Sequence, residues 1–137
     1  MRLNDDESLS FGCGCFNQFY SRFSQDSPKD RGSWDVQFCL SEITVAELKY
    51  GAAKSNRPEE NRNETDSFCA KFEIMSIYPA LDVFAFEKAR LEKLGLRLDD
   101  FDLLIGSTAI HYDLVLVTNN VKHFERMQRL NIENWAK

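Results

Sequence analysis

The sequence predicts an α/β fold: a mostly parallel central sheet with helices on both faces. Short apolar runs at 36–40 (VQFCL), 73–78 (EIMSIY) and 114–117 (LVLV) alternate with stretches of helical period. The last of these is a continuous apolar run bounded by polar residues, the pattern of a strand covered on both faces. A length of 137 residues, 43% of them hydrophobic, is enough for one domain with a real core.

The elements read in order as follows. Residues 11–34 (FGCGCFNQFYSRFSQDSPKDRGSW) scatter aromatics among Ser, Gly, Asp and Asn, sustain neither period, and break at Ser27-Pro28, so no element is assigned there. Residues 1–37 are therefore taken as an atypical N-terminal segment and 38–137 as the body of a single domain. After the strand at 36–40, Ser41 and Thr44 signal a helix start, and Val45, Leu48 and Ala52 recur at i, i+3 and i+7. Pro58 opens a second helix at a first-turn position, with Phe68 and Phe72 as an i, i+4 pair. The run 73–78 alternates as a half-buried strand that Pro79 ends. Residues 80–94 form a helix with Val83, Phe84, Leu91 and Leu94 toward the core, Glu87, Lys88, Arg90, Glu92 and Lys93 outward, and Gly95 as its C-cap. Residues 99–111 (DDFDLLIGSTAIH) form a buried helix capped by Asp99, whose Gly106, Ser107 and Ala109 permit close packing.

Charge and cysteines narrow the functional classes. With 22 acidic against 17 basic side chains the net charge is −5, which argues against a surface that tracks nucleic-acid phosphates as a whole. No run of about 18 apolar residues occurs, and the acidic start MRLNDDESLS does not read as a secretory signal, so a cytoplasmic protein without a membrane span is expected. Cys13, Cys15, Cys39 and Cys69 lack the spacing of a zinc module and are expected to be reduced.

In a parallel α/β sheet the chemistry gathers beyond the C-terminal ends of the strands. Glu47, in the first turn after the 36–40 strand, Asp102, in the first turn of the 99–111 helix, and Thr118-Asn119-Asn120, directly after 114–117, all fall at such positions. Two carboxylates converging on one rim suit Mg²⁺ or Mn²⁺, which take oxygen ligands. Each residue also has a structural reading. Thr44-x-x-Glu47 fits a capping box, Asp102 can simply complement the positive end of its helix, and Asn120 can serve as a left-handed turn residue.

Three motifs in order, SEITVAELKYGAAKS at 41–55, LDDFDLLIGSTAI at 98–110, and LVTNNVKHFERM with LNIENW ending at Trp135, resemble the PIN-domain ribonucleases, specifically VapC-type toxins of bacterial toxin–antitoxin pairs. The resemblance implies a PIN-like α/β/α sandwich that cuts RNA with Mg²⁺ or Mn²⁺. Glu47 and Asp102 would be metal-holding acids, Asn120 would stand where many relatives carry a fourth acid, and Thr118 would match the hydroxyl residue beside it. It further implies a cognate VapB-type antitoxin that covers the site, and a homodimer. RNA would be met by local cations among Lys88, Arg90, Lys93, Arg97, Lys122, Arg126 and Arg129, while His111 and His123 read as structural because the chemistry favours oxygen ligands.

Relatives begin with an apolar strand ending in an Asp-Thr-Asn motif that residues 1–37 do not reproduce, and Asp5 and Asp6 are poor substitutes. The sheet is thus expected to lack its central strand, with Phe11, Phe16, Phe19 and Phe23 available to refill the space. The alternative function is a catalytically impaired PIN-like remnant that binds antitoxin or dimerises without cutting RNA.

Overall fold

Successive side chains of a strand point to opposite faces. In the strand Trp34–Ser41 (β2) this alternation sends Cys39 into one core and Leu40 into another. The computed structural model describes residues 18–24 and 34–134. Around β2 the described elements are β1 (Gln18–Ser24), α1 (Glu42–Ala53), α2 (Pro58–Cys69), β3 (Glu73–Met75), α3 (Leu81–Lys93), α4 (Asp100–His111), β4 (Val115–Val117), α5 (Val121–Phe124) and β5 (Asn131–Glu133). A single 3-10 turn, Tyr78–Ala80, leads into α3.

The strands lie in the order β3-β2-β1-β4-β5. β2 pairs with β3 and β4 with β5 in parallel, whereas β1 is antiparallel to both of its neighbours. Four of the five strands therefore share a direction, giving the mostly parallel α/β sheet expected. Cys39, Phe19, Leu116 and Ile132 are register partners across β2, β1, β4 and β5, and all belong to the larger core, which α3, α4 and α5 close with Leu91, Leu103, Ile105, Ala109 and Phe124. Leu40 faces the other way, onto Phe68 and Cys69 of α2 with Val45 and Leu48 of α1 beside them. Phe68 and Phe72 stack with ring centroids 5.0 Å apart.

Several local signals act as read. Pro58 opens α2, the Asp99 carboxylate accepts the Phe101 N–H at the start of α4, and Gly95 takes a φ of +72° just past α3, where a side chain would be strained. At Gly106 the Met127 thioether occupies the place a Cβ would need, which is the close approach its small size permits. Cys39 and Cys69 are free thiols in the core, and burial pushes both up in pKa. Cys13 and Cys15, with Asp5, Asp6, Phe11 and Phe16, lie outside the described residues. Among the described residues no helix is long and apolar enough to cross a membrane.

Three expectations are corrected. The central slot is filled: β1 occupies it, and Phe19 is fully buried there. Glu87 does not face solvent. It falls on the same helical stripe as Phe84 and Leu91, is 4% exposed, and is neutralised by two hydrogen bonds from Arg90, at 3.1 and 2.8 Å, and one from the Gln128 N–H. That pair also removes Arg90 from the surface cations expected to meet RNA. Leu94 leaves the core, 61% exposed, because α3 ends at Lys93 and the chain turns away at Gly95.

If Phe19 carries the central strand into the core, Phe19→Ala should cost about 3–5 kcal/mol, as other fully buried aromatics do. Chemical denaturation of the full chain reads this directly, and a loss below about 1 kcal/mol would mean that β1 does not hold the sheet together.

Candidate active site at the rim of the sheet

β2 and β4 run the same way, so their C-terminal ends share one rim, and each delivers a different part of the site. Beyond β2 the Ser41 hydroxyl accepts the Ile43 N–H and caps α1. That places the helix start three residues before Thr44 and puts Glu47 in the second turn, correcting the expected first-turn position. The same geometry dissolves the capping box, since Thr44 is buried inside the helix and Glu47 has no cap to return to. Beyond β4 the Thr118 N–H donates to the Glu133 carbonyl at 3.0 Å, and the Thr118 hydroxyl accepts the Asn120 N–H at 3.0 Å. Asn120 then precedes α5 with φ −94°, so it is not a left-handed turn residue.

α4 runs back along the sheet into β4, which brings its first turn to the same rim. Asp102 sits there with its side chain 19% exposed. α1 packs against α4, and the charge of Asp102 reaches Glu47 across that contact. Glu47 is raised in pKa by burial first, then by the Asp102 charge, then by Asp99. Asp102 is also raised, by burial first and then by Asp99, with His123 pulling partly the other way. A helix N-terminus alone would favour the charged form of Asp102. Burial and like charge outweigh it here, which marks a place where negative charge is crowded rather than merely capped.

Two residues at this rim were not read as part of it. Asp99 was taken only as a helix cap, yet its charge lifts both acids. His123 was read as structural, but its Nδ1 lies 3.7 Å from Asp102 Oδ2 and 3.0 Å from Asn120 Nδ2. The available signal was the i, i+3 spacing of Asn120 and His123, which puts both on one side of a helical turn. His111, by contrast, lies edge-on against Tyr112 with centroids 4.8 Å apart, away from the acids. The structure thus gathers Glu47, Asp99, Asp102, Thr118, Asn120 and His123 at one rim, with the Thr118 hydroxyl engaged in shaping the turn that carries Asn120.

Comparisons with known proteins bear on the same motifs. Residues 24–130 match the PIN domain family. The chain is 42% identical over 100 residues to ribonuclease VapC2 of Rickettsia felis, covering 72% of this chain and 74% of that protein. It is 38% identical over 120 residues to ribonuclease VapC2 of Haemophilus influenzae, covering 87% and 85%. Among solved structures, VapBC2 from Rickettsia felis bound to a DNA fragment from their promoter matches with a TM-score of 0.67 at 38% identity, over 72% of this chain and 74% of that one.

The crowding has a pH signature. Folded-state values above the ordinary ones mean that ionising Glu47 and Asp102 costs stability. The cost is full above the raised values and disappears as pH falls through them. Asp102→Asn should therefore raise Tm at pH 7, with the gain shrinking toward zero at about pH 4, while the exposed Glu47 contributes little. Thermal melts at both pH values test this, and a lowered Tm at pH 7 for Asp102→Asn would show that its carboxylate is not under strain.

Proposed function

The chain belongs to the PIN-domain family and is of the VapC type, and from that premise we propose that it is a metal-dependent endoribonuclease toxin of a VapBC-type pair. The observation that carries the reading is the placement of Glu47 and Asp102 at one rim, on helices that pack together, with Glu47 raised under the charge of Asp102 and Asp102 raised under that of Asp99. Two such groups fit Mg²⁺ or Mn²⁺, which one or two carboxylates hold together with waters and substrate phosphate oxygens. Among the described residues no three His, Cys, Asp or Glu side chains enclose an ion by themselves. The site would therefore be an open one, completed by the substrate.

A divalent ion bound there would polarise the scissile phosphate and supply hydroxide near neutral pH. The protein's own part is positional. Asp102 and Glu47 hold the ion's place, and their mutual repulsion is relieved when positive charge arrives. The buried Thr118 hydroxyl fixes the turn after β4, and that turn holds the Asn120 amide against the His123 ring, which in turn lies 3.7 Å from Asp102. Lys88 is held by Asp100 at 2.9 Å and Arg126 by the Arg97 carbonyl at 3.0 Å. Lys93, Arg97, Lys122 and Arg129 remain the better candidates for meeting RNA phosphates.

The relative solved as a VapBC complex supports a VapB-type antitoxin as partner. A homodimer acting in the cytoplasm completes the reading. One observation favours the impaired remnant instead. β1, QFYSRFS, carries no acid, and because it is antiparallel its end at Ser24 lies at the opposite rim. The described residues thus offer two opposed acids with Asp99 behind them, and no acid from a central strand.

The deciding experiment is RNA cleavage by the purified chain in Mg²⁺, Mn²⁺ or EDTA. An active toxin should cut only with metal, and Asp102→Asn or Glu47→Gln should lower the rate on the order of 10²–10³-fold without loss of Tm. A folded wild-type chain that cuts no faster than Asp102→Asn, yet is captured by the antitoxin encoded beside it, would establish the remnant.

A further inference from the structure

α3 turns one stripe to the core and the opposite stripe to solvent. Phe84, Glu87 and Leu91 face inward, onto the larger core and the Arg90 clamp. The outward stripe is Asp82, Phe86, Ala89 and Lys93, at i, i+4, i+7 and i+11, with Ala85 beside it, and all five are exposed. Phe86 is 68% exposed in the middle of this stripe. It does not stand alone: five of the eight exposed large hydrophobic side chains among the described residues, Tyr78, Leu81, Phe86, Leu94 and Leu96, belong to α3 and its two ends. Single exposed apolar residues need no explanation, but a gathering on one helix marks a surface that binds something.

The stripe is complementary to itself. A two-fold axis through its midpoint, between Glu87 and Lys88, lays a second α3 antiparallel on the first and sets Phe86 against Ala89 and Asp82 against Lys93, each pairing made twice. Asp82 and Lys93 are opposite in charge, and no salt bridge among the described residues engages either. The two alanines let the helices approach, and a ring packs into the space that a small side chain leaves. Parallel pairing would instead set Asp82 on Asp82 and Lys93 on Lys93 and align the helix dipoles, so charge selects the antiparallel arrangement. We propose that this stripe of α3 is a two-fold interface and that its occupant is a second copy of the chain, packed antiparallel. The proposal deepens the homodimer of the reading above by giving it a face and a register, and it uses none of the rim acids. The Tyr78–Leu81 end of one copy then lies beside the Leu94–Leu96 end of the other, which covers the apolar side chains left open at both. Lys93 is drawn into the seam, leaving Arg97, Lys122 and Arg129 to RNA.

The test is sedimentation velocity of the full chain over a concentration series, in EDTA and without RNA. The wild-type chain should run as a dimer. Phe86→Glu, which puts a charge at the centre of the seam, should raise the dissociation constant at least about 100-fold. Asp82→Lys and Lys93→Asp should each raise it about tenfold or more, and the double variant should recover most of that loss, because only side chains that meet across the seam compensate each other. Circular dichroism confirms that each variant is folded, as substitutions at positions exposed in the single copy should be. A wild-type chain that stays monomeric throughout, or a dimer unchanged by Phe86→Glu, would overturn the proposal. Absence of recovery in the double variant would overturn the antiparallel register, and loss of antitoxin capture in Phe86→Glu with the oligomeric state unchanged would assign the face to the antitoxin instead. Because metal and RNA are absent from the measurement, each of these failures leaves the nuclease reading to its own cleavage assay.

Discussion

The molecule depends on one row of side chains: Cys39, Phe19, Leu116 and Ile132, side by side across four strands. β2–β3 and β4–β5 are two parallel pairs that share no backbone ladder except through β1. Phe19 is the apolar side chain that seats β1 on the larger core. Adjacent strands are about 4.8 Å apart, so a single intervening strand puts β2 and β4 roughly 10 Å apart. That spacing determines how far the α1 acid lies from the turn after β4. A sheet closed directly from β2 to β4, or left with a gap, would place Glu47 and Asn120 in a different relation.

The direction of β1 matters as much as its presence. Gln18 is level with Val117, and Ser24 is level with Trp34 at the start of β2. The strand therefore begins at the functional rim and ends at the far one. A parallel central strand would deliver its terminal residue among the acids; this one does not. The rim's chemistry consequently comes from the flanks, through α1, α4 and the turn into α5, and His123 stands where it completes an otherwise carboxylate-rich edge.

Most of the fold was legible because its period was. β2, α4 and β4 carry apolar residues at the spacing of the element they form, and Asp99 and Gly95 mark boundaries by mechanisms that act within a few residues. α2 was marked by Pro58, although it ends at Cys69, before the Phe72 expected to pair within it. β1 was not legible, since QFYSRFS has neither clean alternation nor a strong apolar run; pairing on both sides makes it a strand, and such pairing is non-local. Glu47 and Asp102 were legible as rim residues, although two good caps, Ser41 and Thr44, competed for one helix start and the nearer to β2 won. His123 and Glu87 were hidden for a common reason: a charged or polar side chain reads as surface until the partner that holds it is known, and both partners come from elsewhere in the fold.

Glu87 shows how such a hidden partner reaches the site. Burial alone would raise its pKa, but hydrogen bonds from Arg90 and the Gln128 N–H, with the Arg90 charge, bring it below the ordinary carboxylate value. Removing Arg90 would leave the Glu87 charge buried and held by the Gln128 N–H alone, so the pair is a clamp rather than an ornament. Arg90 also donates to the Arg126 carbonyl at 2.8 Å, and Met127 lies between these two anchored residues, buried against the open face of Gly106. The segment following α5 is thus fixed to α3 through polar contacts and to α4 through close packing. With Phe124 fully buried just before it, α5 has little freedom to turn. The orientation of Asn120 and His123 toward Asp102 therefore rests on the Thr118 turn before α5 together with the anchoring of the segment after it.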